Sequence, residues 1–288
     1  MLLLVLANLF IRSSISYELN NKRPPLLPNG YHEIFFEDFT SFKTSIWNIE
    51  VGNGQGVNGD CDTNLGCPNL PGFGNGEIEF YSPENVLVHS DNLLLFSTFN
   101  KTTRVWNSGR INSMGKFSFT YGLIEARLKV SDMVKGIFPA FWLLPENLLN
   151  GRGWPYNGEI DVFEFLLDWN TTDNGIIQYH TPSTFHFGAH FSKTGIQFTN
   201  PPNPTPDDYH IYAVDWQPQR MIVLRDGEII GIFEKPFNAD WFQWPFDYPF
   251  HLICNMAIQP GESSAADSSA ENQFLAIDWI RVSQKYYK

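Results

Sequence analysis

Apolar and polar positions alternate along this chain in short runs, separated by clusters of Gly, Pro, Asn and Asp, and no long stretch repeats at the helical period. Residues 121–130 set Leu123 or Ile124, Ala126, Leu128 and Val130 against Glu125, Arg127 and Lys129, the pattern of a half-buried antiparallel strand. Residues 221–225 and 228–233 are apolar runs joined by Asp226-Gly227, a pair suited to a type I′ turn, so a hairpin is expected there. The same reading predicts strands over 33–39, 77–81, 93–99, 110–119, 138–143, 175–180, 186–191, 210–216, 250–257 and 274–282. More than ten strands predict an all-β fold, a two-sheet antiparallel β-sandwich with one face free to curve around a ligand. No internal repeat is present, and residues 261–271 read as a Ser/Ala-rich loop.

One further run carries an unusual load of charge: Glu159-Ile160-Asp161-Val162-Phe163-Glu164. Its β-branched and aromatic residues make it a strand, with Glu159 and Asp161 on one face and Ile160 and Val162 on the other. Strict alternation would throw Glu164 onto the apolar face, where an unpaired carboxylate costs several kcal/mol. A β-bulge near Val162 or Phe163 would shift the register and return Glu164 to the face of Glu159 and Asp161. Carboxylates gathered in this way suit general acid and base chemistry; a solvated acidic face on an open sheet is the competing reading of these six residues alone.

The 288 residues can bury one large core, and nothing in the middle of the chain looks like a linker. A formal charge of −12 argues against nucleic acid or anionic membrane surfaces as partners and is compatible with a neutral ligand. Aromatic residues make up 16% of the chain, including nine Trp, and several stand beside polar or Gly-rich loops; their faces can stack on sugar rings, although core packing is the ordinary use of any one of them. Residues 2–11 form an apolar run too short to span a bilayer, followed by Ser13, Ser14 and Ser16. This reads as a secretory signal peptide over 1–16, even though no Lys or Arg precedes the apolar run. Residues 17–30 then form a polar, Pro-rich lead-in, and the folded domain is expected over 31–288. Asn100-Lys-Thr and Asn170-Thr-Thr are glycosylation sequons, in keeping with a secreted, extracellular glycoprotein. In an oxidising compartment Cys61 and Cys67 could close a small loop, leaving Cys254 as a buried thiol; no ligand spacing for zinc surrounds them. A monomer is the default expectation.

The segment 136–145, Gly-Ile-Phe-Pro-Ala-Phe-Trp-Leu-Leu-Pro, followed by 153–165, Gly-Trp-Pro-Tyr-Asn-Gly-Glu-Ile-Asp-Val-Phe-Glu-Phe, resembles the core signature of glycoside hydrolase family sixteen. Agreement extends to Gly-Glu-Ile-Glu-Phe-Tyr-Ser at 76–82, Ser-Gly-Arg-Ile-Asn-Ser at 108–113, Tyr-Gly-Leu-Ile-Glu-Ala-Arg at 121–127, Asp-Trp-Gln-Pro at 215–218 and Ile-Asp-Trp-Ile-Arg-Val at 277–282. The resemblance implies a jelly-roll (concanavalin-like) sandwich with a concave cleft, and hydrolysis with retention of configuration. It implies Glu159 as nucleophile, Glu164 as acid/base and Asp161 as the carboxylate between them, whose charge would help keep Glu164 protonated. Within the family, lichenases and xyloglucan transferases look like Glu-x-Asp-x-Glu, whereas laminarinases, agarases and carrageenases look like the longer spacing seen here. Gly153-Trp154-Pro155 is most similar to laminarinases and places Trp154 beside the reacting sugar, so β-1,3-glucan is the expected polysaccharide.

The resemblance also carries over His190, in Gly188-Ala-His-Phe191, as the histidine that approaches the carboxylates, with His186 and His180 close enough in sequence to compete for that alignment. Arg110 and Glu77 match cleft residues that bind sugar hydroxyls; Trp142 matches a cleft-floor aromatic, with core packing as the other reading. Glu37 and Asp278 match positions through which many relatives hold a structural calcium, while no cofactor is implied for catalysis. Three other functions share these features: hydrolysis of a galactan such as agarose or carrageenan, transglycosylation through the same intermediate, and non-catalytic β-glucan recognition. Recognition relatives typically lack one or both glutamates, and both are present here.

Overall fold

A computed structural model of the chain describes residues 24–54, 71–132, 136–147, 154–173, 176–188, 195–200, 205–259 and 270–286. The predicted signal peptide, Cys61, Cys67, His190 and residues 261–269 lie outside the described residues. The first strands are β1 (Tyr31–Glu37), β2 (Asn48–Ile49), β3 (Phe80–Tyr81), β4 (Val86–His89), β5 (Asn92–Phe96), β6 (Thr98–Asn100) and β7 (Val105–Ser108). Next come β8 (Arg110–Asn112), β9 (Ser118–Phe119), β10 (Gly122–Val130), β11 (Ile137–Pro145), β12 (Glu159–Glu164), β13 (Leu166–Asp173) and β14 (Ile176–His180). The chain continues through β15 (Pro182–His186), β16 (Ile196–Thr199), β17 (His210–Gln217), β18 (Arg220–Arg225), β19 (Glu228–Glu234), β20 (Phe250–Ile258) and β21 (Phe274–Lys285).

Two antiparallel sheets dominate, as the alternating pattern predicts. One runs β19-β18-β17-β10-β21-β5-β4, with β1 also on β21; the other runs β16-β15-β12-β11-β20-β8-β2, with β9 also on β20. Their facing sides close one core: Ile124, Ala126, Leu128 and Val130 of β10 meet it from the first sheet, and Phe141, Leu143, Ile160 and Phe163 from the second. Cys254 on β20 is a fully buried free thiol, and burial pushes its pKa up. Asp226 and Gly227 both take positive φ, 52° and 82°, and join β18 to β19 by the expected turn.

Several predicted strands are shorter than their apolar patterns suggested, because side chains capture backbone groups. The 110–119 run breaks after Asn112, whose Oδ1 accepts the Met114 N–H at 3.1 Å, while Ser113 C=O accepts the Lys116 and Phe117 N–H groups at 3.0 and 2.9 Å. The 77–81 run pairs as a strand only at Phe80–Tyr81. Upstream, the Glu79 carboxylate takes the Ile258 N–H at 2.7 Å. The 186–191 prediction meets the structure only at its first residue, where the strand Pro182–His186 ends, and 189–191 lie outside the described residues. The polar face of β10 also differs from expectation. Glu125 is buried, paired across the strands with Arg281, and Arg281 in turn donates to Pro25 C=O at 2.7 Å, so the lead-in packs over this part of the outer sheet.

Candidate active site

The acidic strand β12 lies between β11 and β15. Its pairing with β11 runs Phe141 to Phe163 and Trp142 to Asp161, which leaves Val162 as an extra residue. This is the bulge that the spacing of the carboxylates required. Ile160, Val162 and Phe163 are fully buried, whereas Glu159 and Glu164 remain partly open. A bulge leaves a backbone group without its ladder partner; here the Ser183 hydroxyl donates to Val162 C=O at 2.7 Å and meets that need.

Neighbouring strands supply the rest of the site. Cross-strand pairing places His186 opposite Glu159 and Thr184 opposite Asp161. His186 Nε2 stands 3.2 Å from Asp161 Oδ2 and 3.7 Å from Glu159 Oε1. The Thr184 hydroxyl donates to Glu164 Oε2 at 2.8 Å, and the Trp154 indole N–H donates to Glu159 Oε2 at 2.9 Å. Trp154 is half exposed, with its ring 5.4 Å from that of His186.

The three carboxyls are crowded in a largely dry place. Burial raises the pKa of Glu159, Asp161 and Glu164 above the ordinary carboxylate range; the charge of Asp161 pushes Glu159 further, and that of Glu164 pushes Asp161 further. The Trp154 and Thr184 hydrogen bonds pull Glu159 and Glu164 back towards the anion. The trio therefore titrates as a unit and resists complete ionisation, leaving one carboxylate able to attack while another holds a proton. Glu159, Asp161 and His186 also form a set whose ligand atoms lie within 4.8 Å of one another, although an ion there would block the carboxylates.

A second polar cluster borders the first. Trp142 lies opposite Asp161 on β11, half-buried on the cleft face rather than within the core. Its indole N–H donates to Asn255 Oδ1 at 2.7 Å, Asn255 donates to the Tyr81 hydroxyl at 3.1 Å, and Tyr81 donates to Glu77 Oε2 at 3.2 Å. Arg110 lies 3.7 Å from Glu77 and 3.0 Å from Glu50, with its guanidinium against the Trp142 and Phe73 rings. Arg110 and Glu77 are each 4% exposed, so they form a buried support beneath Trp142 more than an open sugar-binding surface.

Of the histidines that compete for that alignment, His186 is the one placed against the carboxylates, while His190 lies outside the described residues. It could have been found from alternation: Phe185 and Phe187 are core residues, so His186 between them must face the other way, towards the carboxylates. Glu37 and Asp278, the expected calcium pair, are each engaged with groups of the protein. Glu37 accepts from Lys43 Nζ at 2.7 Å, Phe39 N–H at 3.1 Å and Trp47 Nε1 at 3.3 Å, and Asp278 accepts from Arg127 at 2.5 Å. Each carboxylate is already neutralised by its own cation, which does not fit a hard cation needing six to eight oxygen ligands.

The sandwich has counterparts among known proteins. The model of the family described as glycosyl hydrolases family 16 matches residues 76–281. The chain belongs to glycosyl hydrolases family 16. This family-16 glycoside hydrolase is 32% identical over 222 residues to a beta-glucanase of Rhodothermus marinus, covering 73% of this chain and 75% of that protein. It is 29% identical over 280 residues to glucan endo-1,3-beta-glucosidase A1 of Niallia circulans, covering 88% of this chain but only 38% of that longer protein. The crystal structure of the laminarinase from Flavobacterium sp. UMI-01 superposes with a TM-score of 0.71 at 30% identity, covering 88% of this chain and all of the other.

Proposed function

We propose that this chain is a secreted endo-acting β-1,3-glucanase that hydrolyses laminarin-type polysaccharide with retention of configuration. The observation that carries the reading is the bulge at Val162, which brings Glu164 to the face of β12 where Trp154 bonds Glu159. Retaining glycosidases work with two carboxyls about 5 to 5.5 Å apart. In this mechanism Glu159 attacks the anomeric carbon while Glu164 gives its proton to the departing glycosidic oxygen. Glu164 then removes a proton from water, the water oxygen attacks the same carbon, and the bond to Glu159 breaks, releasing the sugar. Asp161 stands beside both glutamates, so that its protonation is linked to theirs, and His186 fixes its orientation. The laminarinase and endo-1,3-glucosidase relatives support β-1,3-glucan over a galactan, and the presence of both glutamates weighs against a recognition protein without activity.

Incubation with laminarin, lichenan, agarose and carrageenan tests the substrate, with new reducing ends expected foremost from laminarin; release from agarose or carrageenan alone would overturn the glucan reading. Proton NMR of the first products tests the stereochemistry: β-anomers appear first under retention, α-anomers under inversion. Glu159→Gln is expected to lower kcat by roughly 10⁴-fold or more while sparing laminarin binding. N-terminal sequencing of protein recovered from the medium of expressing cells checks secretion and cleavage after Ser16.

A further inference from the structure

The turn that carries Trp154 also carries Tyr156, from which an aromatic run leads away. The Tyr156 ring lies 5.7 Å from that of Phe242, and Phe242 lies 5.9 Å from Trp241, which is 44% exposed. Phe242 seats itself where the chain leaves β15: a Cβ at Gly188 would meet the Phe242 ring at 2.6 Å and the Tyr156 ring at 2.9 Å, so only glycine lets the rings close together there. The loop carrying Trp241 is fixed from below. Asp240 Oδ1 accepts the Phe242 and Gln243 N–H groups, each at 3.0 Å, and Asp240 C=O accepts the Trp244 N–H at 2.9 Å. Trp244 is buried, and Tyr248 on the same loop donates to Asn157 C=O at 2.7 Å, tying this loop to the one that presents Trp154. A large apolar ring held on a fixed turn and left in water gains nothing for the fold from its open face.

We infer that Trp154, Tyr156, Phe242 and Trp241 form a binding track for glucan units beyond the sugar that reacts, with Trp241 as its outer stacking platform. The occupant is a polysaccharide because Tyr156 stands on the same short turn as Trp154, whose indole bonds Glu159, and because the apolar faces of pyranose rings pack on aromatic faces. Two ring-to-ring steps of less than 6 Å separate Tyr156 from Trp241, the reach of a short oligosaccharide. The track is fixed before substrate arrives, so binding loses little side-chain freedom. It would favour long chains over short ones and set how many sugar units one product keeps.

This inference rests on the β-glucan reading, and the experiment separates the two. Kinetics on laminarin and on laminaritriose are compared for wild type, Trp241→Ala and Trp241→Phe, alongside retardation of each protein in laminarin-containing native gels. Trp241→Ala is expected to lower the ratio of kcat/KM on laminarin to that on laminaritriose about tenfold, mainly through KM, and to reduce gel retardation; Trp241→Phe restores most of both. An unchanged ratio and unchanged retardation in Trp241→Ala overturn the track while leaving the glucanase reading intact. Wild type that binds laminarin without cutting it overturns hydrolysis, and the gel comparison then decides the track alone. Wild type that neither binds nor cuts laminarin overturns both.

Discussion

The outer sheet and the cleft handle buried acids in opposite ways. On β10 and β21, Glu125 meets Arg281 at 2.7 Å and Asp278 meets Arg127 at 2.5 Å, and near the end of β1 Glu37 meets Lys43 at 2.7 Å. Each carboxylate has one cation. In the cleft, Glu159, Asp161 and Glu164 share a single histidine, and among the described residues no Lys or Arg pairs with them. The fold is thus held where charges balance, while the site stores an imbalance that burial turns into raised pKa values. Beside the cleft, Arg110 serves both Glu50 and Glu77, and the buried Glu77 and Glu79 are pushed upward as well.

Removing an acid should therefore have different consequences on the two sides. Glu164→Gln is expected to lower kcat/KM on laminarin about 10³-fold, since a general acid–base group contributes on the order of 10²–10⁴, while leaving Tm unchanged or higher because an uncompensated carboxyl is gone. A large fall in Tm would mean that Glu164 is structurally paired. Arg281→Met should cost roughly 3–5 kcal/mol by stranding Glu125, and Arg281→Met with Glu125→Leu should recover most of that loss. Urea unfolding of the two single variants and the double variant measures the coupling, and additive losses would show that the pair is not what holds this part of the sheet.

A third, smaller effect should appear with acid. His251 on β20 is buried beside the Arg110 charge, and burial followed by that charge lowers its pKa from 6.5 to about 4. The unfolded chain binds this proton first as pH falls, so the contribution of His251 is complete above pH 6.5 and about 3 kcal/mol is lost as pH drops towards 4. His251→Gln should flatten the acid side of a Tm-against-pH curve; an unchanged slope would assign acid sensitivity elsewhere.

Much of this contrast was legible in the sequence, and its gaps have physical causes. Six residues at 159–164 were enough to require the bulge, because Glu164 had no acceptable place without it. His186 stood only as a competitor of His190, because β15 begins Pro-Ser-Thr and lacks the apolar run that marks a buried strand, although its Ser183 and Thr184 hydroxyls serve β12. The balance of charge on the outer sheet was invisible for another reason: Glu125 and Arg281 are 156 residues apart, and only the register between β10 and β21 makes them partners. Glu37 and Asp278 carried a family expectation of calcium, but whether a carboxylate is already neutralised depends on which cation the fold brings to it, here Lys43 and Arg127. The bond from Trp154 to Glu159 likewise depends on how a loop folds back over its own strand.

The smallest predicted effect is also the one that most sharpens the contrast. Asp161 is 2% exposed, and burial together with the Glu164 charge raises its pKa well above 3.8. A folded pKa above the unfolded one means that the native state keeps its proton longer, so stability falls as pH rises from near 3.8 through the raised value. Asp161→Asn removes that slope. Its stability should match wild type in acid and exceed it near neutral pH by on the order of 1 kcal/mol, a rise in Tm of about 2–4 °C, while activity falls. Had Asp161 been balanced as Glu125 is, the same substitution would strand a cation and lower Tm instead. The sign of the change near neutral pH, read by thermal unfolding from pH 4 to 8, therefore decides whether the middle carboxylate is a strained part of the site or a structural one.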